Sequence, residues 1–273
     1  MCNHCVIESV KERMMSRRDL FRTGVAGAAA TVAASTIGAA PAMAATPSKV
    51  ADMTHEINEQ FPTYFGQPGF KSKQVFNFKE NGFNLLSLEV NEHTGTHMDA
   101  PLHFSADGQS VVEIPVENLV VPLVVIDIKA RAAENADTQV TPDDIKAWIS
   151  KNGPLPEKCC VAMNSGWGSK TATDGFRNAD SEGKMHFPGF HIDATNMLIE
   201  ESTAVGMAVD TLSLDYGISG DFVTHYAWLP TNRWGIENIA NLDAVPESGA
   251  TLIVGSPKHT GGTGGPSRVF AMM

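Results

Sequence analysis

The sequence predicts an α/β fold, a single domain with mixed β-sheets and flanking helices. Three observations predict it. Apolar segments typical of strands alternate along the chain with segments that carry helix-capping signals. Of the 273 residues, 42% are hydrophobic and 19% are charged, an ordinary globular composition that excludes a disordered or fibrous chain. After residue 45, no internal repeat or linker divides the sequence, so we expect one large core.

The expected strands are identified by their apolar patterns. Five segments qualify: residues 83–90, 119–128, 159–164, 206–215 and 251–254. In the first, Leu86, Leu88 and Val90 share one face because strand side chains alternate. The second contains Pro122, which indicates an edge strand or a bulge. The fourth alternates along its whole length, which predicts a strand of ten residues.

Helices are expected at three places. Thr141-Pro142-Asp143-Asp144 supplies an N-cap, a proline at the first helical position and two acids near the positive end of the helix dipole. Gly153 then ends that helix. A second helix is predicted over residues 194–201 with Asp193 as its cap, and a short third helix over residues 236–240.

The first 44 residues have the features of an export signal. Arg17-Arg18 precedes an uncharged segment rich in Ala, Gly and Thr, and Ala42-Met43-Ala44 forms a small-x-small cleavage pattern. The paired arginines resemble a twin-arginine (Tat) signal. We therefore expect the Tat export machinery to handle residues 1–44, which cleavage near Ala44 removes. Residues 45–273 then form a periplasmic or secreted domain with no stable membrane anchor. A transmembrane anchor is the alternative, which the weak hydrophobicity of the segment disfavours.

Charge and cysteine content limit the partners and the redox chemistry. The 20 Lys and Arg against 31 Asp and Glu argue against a nucleic-acid partner, which would favour a basic face. Cys159 and Cys160 begin an apolar run and are expected to be buried small side chains, with a vicinal disulfide as the alternative. The glycine-rich tail over residues 261–266 lacks the spacing of a phosphate-binding loop, so we expect a flexible loop or a pocket edge there.

One segment concentrates the groups that carry chemistry. Three imidazoles and one carboxylate lie within eleven residues: His93, His97, Asp99 and His103. On a straight strand all four face one way, but four residues of strand span about 13 Å, too far for two ligands of one ion. An α-helix is excluded because Pro101 would break it. The chain must therefore bend, and Gly95 and Pro101 are the residues that permit bends.

Such a group is suited to binding a metal. Neutral imidazole together with carboxylate suits zinc, manganese, iron or nickel. One carboxylate between histidine pairs, as Asp99 is here, can bridge two ions in the manner of two-metal hydrolases. A histidine-rich surface turn is the alternative. The regular spacing, with Gly and Pro at the expected bends, favours a metal site.

The segment resembles a family signature. His93-x-Gly95-Thr96-His97-x-Asp99-x-Pro101-x-His103 is similar to the HxGTHxDxPxH pattern of the metal-dependent cyclase family, which includes bacterial kynurenine formamidases and isatin hydrolases. The resemblance continues through residues 205–215 and 235–242 and covers about residues 50–270. It implies a swivelling β/β/α fold and a homodimer or higher homo-oligomer.

The resemblance also implies a ligand set. His93, His97 and Asp99 would hold a first ion, and Asp99 would bridge to a second ion shared with His103 and Glu237. The cofactor is then a divalent metal, zinc or manganese, as one or two ions. Some family members use one manganese and have an amide at the last ligand position. The carboxylate at that position here favours a site for two ions.

Further candidates lie outside the ligand set. His225 matches the general acid/base histidine of the family, while Asp210 and Asp215 are strand-end acids able to orient neighbouring groups. Phe65 belongs to an aromatic, Gly- and Pro-rich segment suited to a pocket for a flat ligand, and Trp167 could stack an aromatic substrate. For Phe65 and Trp167 we therefore expect substrate contact, with packing in or beside the core as an equal alternative.

Together these residues predict an enzyme that hydrolyses carbon–nitrogen bonds other than peptide bonds. The expected substrate is a small aromatic molecule: an aryl formamide such as N-formylkynurenine, or a cyclic amide such as isatin. Metal-activated water would attack the carbonyl while His225 moves the proton. The alternatives are a metal-dependent cyclase or lyase acting on a ring substrate, and a non-catalytic exported metal-binding protein.

Overall fold

The computed structural model describes residues 48–273. The predicted Tat signal over residues 1–44 and its cleavage site lie outside the described residues. Within the described range the strands are β1 (Val50–Asp52), β2 (Phe70–Phe76), β3 (Leu85–Val90), β4 (His97–Asp99), β5 (Val120–Asp127), β6 (Gln139–Val140), β7 (Cys160–Asn164), β8 (Gly189–Phe190), β9 (Gly206–Val209), β10 (Trp234–Glu237), β11 (Ala250–Gly255), β12 (Gly264–Pro266) and β13 (Arg268–Met272). The helices are α1 (Phe78–Asn81), α2 (Lys129–Glu134), α3 (Pro142–Asn152), α4 (Ile192–Glu201) and α5 (Val223–Trp228).

A nine-stranded mixed sheet forms the centre of the fold. Its strand order is β1-β13-β11-β5-β7-β9-β10-β4-β12. The four strands β5, β7, β9 and β10 run parallel, and the strands on either side of them pair antiparallel. The predicted α/β class with a mixed sheet is therefore confirmed.

Strand β5 shows how the sheet is covered on both faces. Val121, Leu123 and Val125 belong to one buried apolar cluster, and Val124 and Ile126 to another. This division follows from the alternation of side chains along a strand, and it explains why the segment is aliphatic throughout rather than alternating. The strand begins at residue 120 and includes Pro122, which lies opposite Thr251 of β11, whereas pairing with β7 starts only at Leu123.

The first predicted helix is confirmed, and the cap of the second is corrected. Oδ2 of Asp144 accepts hydrogen bonds from the backbone N–H of Thr141 at 2.8 Å and from its hydroxyl at 2.9 Å, which fixes the start of α3. Helix α4 begins two residues earlier than expected. Its cap is His191, whose Nδ1 accepts from the backbone N–H of Asp193, so the aspartate lies inside the first turn.

Two other expectations were wrong for non-local reasons. The segment 206–215 is a strand only over its first four residues. Beyond Val209, the carboxylate of Asp210 accepts from the loop after β7 and that of Asp215 accepts from the first turn of α5. Of the short helix predicted over residues 236–240, Ile236 and Glu237 instead end β10, and residues 238–240 follow the strand without helical structure. In β10, pairing with β9 on one side and β4 on the other overrides the local preference.

Residues 72–88 form a compact unit separate from the unit made of residues 48–71 and 89–273. Strands β2 and β3 pair with each other in a two-stranded sheet, with α1 between them in the sequence. Asn77 caps α1, and the rings of Phe76 and Phe83 lie 5.0 Å apart. The strand expected over residues 83–90 is confirmed over residues 85–90, and all six residues of this strand are exposed.

Within residues 48–273, none of the helices is both long enough and apolar enough to cross a bilayer.

Candidate metal centre and active site

The histidine-rich segment is held by two neighbouring strands. Strand β4 lies between β10 and β12, with Glu237 directly opposite His97 across the sheet. The bends occur where the sequence predicted them. Gly95 has a φ of +68°, a conformation that favours glycine, and Pro101 begins a 3-10 turn that carries His103. A sequence-distant carboxylate is thereby brought to the centre of the histidine segment.

Two groups of ligand atoms share one carboxylate. In each group, one donor atom per residue lies within 4.8 Å of the others: His93, Asp99 and His103 in the first, and His97, Asp99 and Glu237 in the second. The structure thus brings together every residue of the predicted ligand set. It pairs them differently from the set implied by the resemblance, since His93 groups with His103 and His97 with Glu237.

The distances within these groups are short. Nδ1 of His93 lies 2.8 Å from Oδ1 of Asp99, and the His93 ring stacks on that of His103 with centroids 3.8 Å apart. Nε2 of His97 lies 3.4 Å from Oδ1 of Asp99 and 3.3 Å from Oε2 of Glu237. Asp99 therefore faces both groups, which is the position required of a bridging ligand.

The residues fit a metal on physical grounds. Nε2 of His97 and Oδ2 of Asp99 are completely buried and have no hydrogen-bond partner. An unsatisfied buried polar group costs about 1–3 kcal/mol, and more when charged, so both atoms call for a ligand. Imidazole nitrogens with carboxylate oxygens are a donor set for zinc, manganese and related divalent ions, and a cation would satisfy both atoms.

Electrostatics in the cluster oppose the cost of burial. Burial raises the pKa of Asp99, but the adjacent imidazoles of His225, His93 and His97 outweigh it and hold this pKa well below its usual range. Burial lowers the pKa of His97, yet the carboxylates of Asp99 and Glu237 beside its Nε2 raise it to about 10. Burial lowers the pKa of His103 to about 4, so its ring is neutral and able to act as a ligand at neutral pH.

Helix α5 presents the predicted acid/base histidine to the cluster. The carboxylate of Asp215 accepts from the backbone N–H groups of Thr224 at 2.8 Å and His225 at 3.1 Å, and from Nδ1 of His225 at 2.6 Å. This leaves Nε2 of His225 facing inwards, 3.2 Å from Oε1 of Glu237 and 3.7 Å from Oδ2 of Asp99. Asp215 thus orients the imidazole, the role expected of a strand-end acid.

Asp210 has a different neighbour. Its carboxylate accepts from the backbone N–H and hydroxyl of Ser165 and from the backbone N–H of Trp167. Burial raises the pKa of Asp210 to about 6. The side chain therefore anchors the loop after β7 rather than a ligand imidazole.

A cavity of about 370 Å³ opens over the cluster. Its wall includes His93, His97, His103, His225 and Glu237 together with aromatic side chains. Phe65 lies at its rim with 82% of its surface exposed, consistent in position with the predicted substrate contact. Tyr64, from the same predicted segment as Phe65, also lines the cavity, as do Phe104 and Phe222, whose part in it sequence reasoning missed.

Both missed residues, Phe104 and Phe222, had signals in the sequence. Phe104 directly follows the metal-binding segment, and Phe222 precedes the acid/base histidine by less than one helical turn. Phe222 has a φ of +51°, which is unfavourable for a bulky residue. Its ring contacts those of Tyr64 at 5.6 Å, Phe104 at 5.6 Å and His225 at 5.8 Å. Strained backbone of this kind concentrates at functional sites.

Trp167 occupies a different environment. Only 2% of its surface is exposed, and it belongs to a buried cluster with Phe176, Met185, Phe187 and Leu212. Its indole N–H donates to the backbone oxygen of Phe176 at 2.8 Å. These are the contacts of a packed residue, the alternative left open by the sequence, and Trp167 is not among the residues that line the cavity.

The mixed sheet and the shared-carboxylate cluster define a class: an α/β protein with a candidate centre for one or two divalent metals beside an aromatic-lined cavity. Comparisons with known proteins agree. The family model described as "Putative cyclase" matches residues 51–216. The chain belongs to this cyclase family.

Relatives in the family are hydrolases. The isatin hydrolase of Roseibium aggregatum is 34% identical over 196 residues, covering 68% of this chain and 73% of that protein. The kynurenine formamidase of Salinibacter ruber is 29% identical over 192 residues, covering 70% and 81%. Among solved structures, isatin hydrolase A from Labrenzia aggregata bound to benzyl benzoate superimposes with a TM-score of 0.78 and 35% identity, covering 82% of this chain and 93% of that one.

Proposed function

We propose that this protein is a metal-dependent amide hydrolase acting on a small aromatic substrate, an aryl formamide such as N-formylkynurenine or a cyclic aryl amide such as isatin. One observation carries the proposal: Nε2 of His225 points at the ligand cluster from the wall of an aromatic-lined cavity, while its Nδ1 is fixed by Asp215. This places a proton-transfer group, a candidate metal centre and a site for a flat ring together.

A divalent metal would be held by His93, His97, Asp99, His103 and Glu237. When bound, it supplies Lewis-acid chemistry that makes water nucleophilic near neutral pH and polarises a carbonyl oxygen. The carboxylate of Glu237 at the last ligand position supports a site for two ions, with zinc or manganese as the ion.

The protein's own residues supply the proton transfer. Because Asp215 accepts from Nδ1 of His225, the neutral ring carries its hydrogen on Nδ1 and its lone pair on Nε2. Nε2 then removes a proton from the attacking water and returns it to the leaving nitrogen of the amide. Burial lowers the pKa of His225, but its hydrogen bond to Asp215 and the nearby carboxylates of Asp99 and Glu237 raise it well above its ordinary value, which stabilises the imidazolium formed once Nε2 has taken up the proton.

The cavity residues support the aromatic substrate. Rings of Tyr64, Phe65, Phe104 and Phe222 surround a space of about 370 Å³, suited to a molecule with one or two fused rings. Edge-on and stacked contacts with such rings are each worth about 0.5–1.5 kcal/mol beyond the area they bury. The names of the relatives, isatin hydrolase and kynurenine formamidase, support the same substrate class.

The test uses purified protein loaded with manganese or zinc and assayed by metal analysis before use. We expect release of formate from N-formylkynurenine or formation of a ring-opened carboxylate from isatin, with His225→Ala retaining metal but losing turnover. A fully metal-loaded sample that hydrolyses no member of a panel of aryl formamides, lactams and esters would contradict the proposal. Isomer formation without uptake of water would instead indicate a cyclase or lyase.

We also propose that the protein is exported by the Tat machinery and cleaved near Ala44, as the paired arginines at positions 17 and 18 support. Replacing both with lysine is expected to leave an uncleaved protein in the cytoplasm. Cell fractionation and N-terminal sequencing of the mature protein test this. A wild-type protein whose N-terminus is intact inside the cell would contradict it.

A homodimer or larger homo-oligomer is the assembly we propose. Strand β3 supports it, because Leu85, Leu86, Leu88 and Val90 are each 46–57% exposed, and neighbouring aliphatic side chains on a surface mark an interaction site. Leu86→Asp with Leu88→Asp is expected to give monomers in light scattering after size-exclusion chromatography. Val116→Asp, at another residue that is 73% exposed, is the matched control. A monomeric wild-type protein would overturn the proposal.

A further inference from the structure

The glycine-rich tail is part of the metal-binding architecture. Instead of a flexible loop or a pocket edge, residues 264–266 form strand β12, which pairs antiparallel with β4 so that Gly264 lies opposite Asp99. A Cβ atom on Gly264 would lie 2.8 Å from Cε1 of His93 and 2.4 Å from the backbone oxygen of Met98. Only glycine allows the tail to approach the ligand imidazole this closely.

Thr263, one residue earlier, makes the contact that follows from this approach. Its Oγ1 lies 3.1 Å from Nε2 of His93 and donates to Oε2 of Glu92 at 2.6 Å. The backbone N–H of Thr263 donates to Oε1 of the same carboxylate at 3.1 Å. Since the single hydroxyl proton is engaged by Glu92, Oγ1 can only accept from His93, which places a hydrogen on Nε2 of that ring.

Two further contacts fix the threonine in place. Oε1 of Glu92 accepts from Nε2 of His259 at 2.5 Å, and the backbone oxygen of Thr263 accepts from the backbone N–H of Ala100 at 2.8 Å. The hydroxyl is therefore held between the two ends of the metal-binding segment. Its position does not depend on the substrate cavity, since neither Glu92 nor Thr263 is among the residues that line it.

Two other imidazoles of the site, those of His97 and His225, are also oriented by hydrogen bonds to one ring nitrogen, but from different partners. Nδ1 of His97 donates to the backbone oxygen of Gly95 at 2.9 Å, which leaves Nε2 towards the cluster. Nδ1 of His225 donates to Asp215, again leaving Nε2 inwards. His93 is turned the other way, with Nδ1 towards Asp99 and Nε2 towards the tail. It therefore needs an acceptor on its outer side, and Thr263 supplies that acceptor.

We propose that Thr263 is a positioning residue for the metal site. Its hydroxyl, itself held by Glu92 and His259, accepts from Nε2 of His93 and so directs the lone pair of Nδ1 towards the ion. The inference rests on the proposed function only in that the cluster binds a divalent metal. In this proposal, the glycine-rich tail brings an oriented acceptor, the hydroxyl of Thr263, against His93.

The test is metal affinity of the apoprotein, measured by competition with a chelating dye for Zn²⁺. Thr263→Val keeps the shape of the side chain and removes the acceptor, and we expect about 10- to 100-fold weaker binding. Thr263→Ser keeps the hydroxyl and is expected to restore the affinity to within a few-fold of wild type. Thr251→Val, in β11 and outside the site, is the control for a Thr to Val change as such.

A second measurement needs no variant. In the zinc-loaded wild-type protein, long-range ¹⁵N–¹H NMR correlations of His93 are expected to show a hydrogen on Nε2 and a coordinated Nδ1. A ring with its hydrogen on Nδ1, or a folded Thr263→Val protein that binds Zn²⁺ as tightly as wild type, would overturn the inference. Because both readouts are independent of substrate, absence of amide hydrolysis would contradict the proposed function but not the inference about Thr263.

Discussion

Nδ1 of His225 donates a 2.6 Å hydrogen bond to Oδ2 of Asp215, and both side chains are almost completely buried. The same carboxylate also accepts from the first turn of α5, so it fixes the helix and the imidazole together. The inward nitrogen of His225 is therefore set by a residue that does not itself face the cluster.

The first prediction distinguishes the role of His225 in proton transfer from the role of Asp215 in orienting its ring. His225→Ala removes the proton-transfer group and is expected to lower kcat by roughly 10²- to 10⁴-fold with metal content unchanged. Asp215→Asn is expected to lower kcat as well and to shift the pH–rate profile, because an amide no longer selects the Nδ1–H tautomer. Steady-state kinetics with metal analysis measures both. Wild-type turnover in His225→Ala would remove this residue from the mechanism.

The second prediction contrasts two aromatic residues that the sequence could not distinguish. Phe65→Ala, at the rim of the cavity, should raise KM about 2- to 10-fold, the equivalent of one lost aromatic contact, with little change in Tm. Trp167→Ala, in the core, should cost about 3–5 kcal/mol of unfolding free energy. Thermal melts and kinetics of both variants check this. A Trp167 variant with normal stability and a raised KM would reverse the assignment.

The third prediction concerns removal of metal. Chelation should lower Tm, because it leaves Nε2 of His97 and Oδ2 of Asp99 buried without a partner. Adding the ion back at about 100 times its Kd should raise the free energy of unfolding by about 2.7 kcal/mol. Glu237→Gln should diminish this gain, whereas Glu113→Gln, whose carboxylate accepts from Ser110 outside the cluster, should leave it intact. Calorimetry with and without chelator would refute the prediction if the melting curves coincide.

The fourth prediction is a pH dependence at a site remote from the cluster. Hydrogen bonds to Asp137 and, more weakly, Asp180 raise the pKa of His186 above its ordinary value. Its stabilising contribution is therefore complete below pH about 6.5 and is lost as the pH rises through the raised value. His186→Gln should lower the free energy of unfolding by less than about 1 kcal/mol at pH 6, since the pair is partly exposed, and should leave it unchanged at pH 9. Urea unfolding at the two pH values tests it, and an equal loss at both would count against the ion pair.

What could be predicted from the sequence was local in origin. The start of α3 depends on contacts between Thr141 and Asp144, three residues apart, and the bends beside His97 depend on Gly95 and Pro101. Such features are encoded within a few neighbouring residues. The residues proposed as ligands came from the spacing and the family resemblance, and the structure brings all five of them together.

What could not be predicted depends on contacts distant in the sequence. Residues 236–240 carried a local helical preference that strand pairing overrode, and nothing in residues 261–266 indicated that they would pair with β4. The burial of Trp167 was likewise decided by Phe176 and Phe187, which the sequence does not connect to it. Local propensity and hydrophobic periodicity carry no information about contacts between residues distant in the sequence.

The position of β4 between β10 and β12 has a consequence for biosynthesis. The histidine strand β4 is translated more than 130 residues before β10 and β12, so its edges stay unpaired until those strands follow. Pairings that close such large loops form slowly. A metal site that uses Glu237 can therefore be completed only after β10 and β12 have been translated, and a truncated polypeptide lacking these strands would lack part of the proposed site.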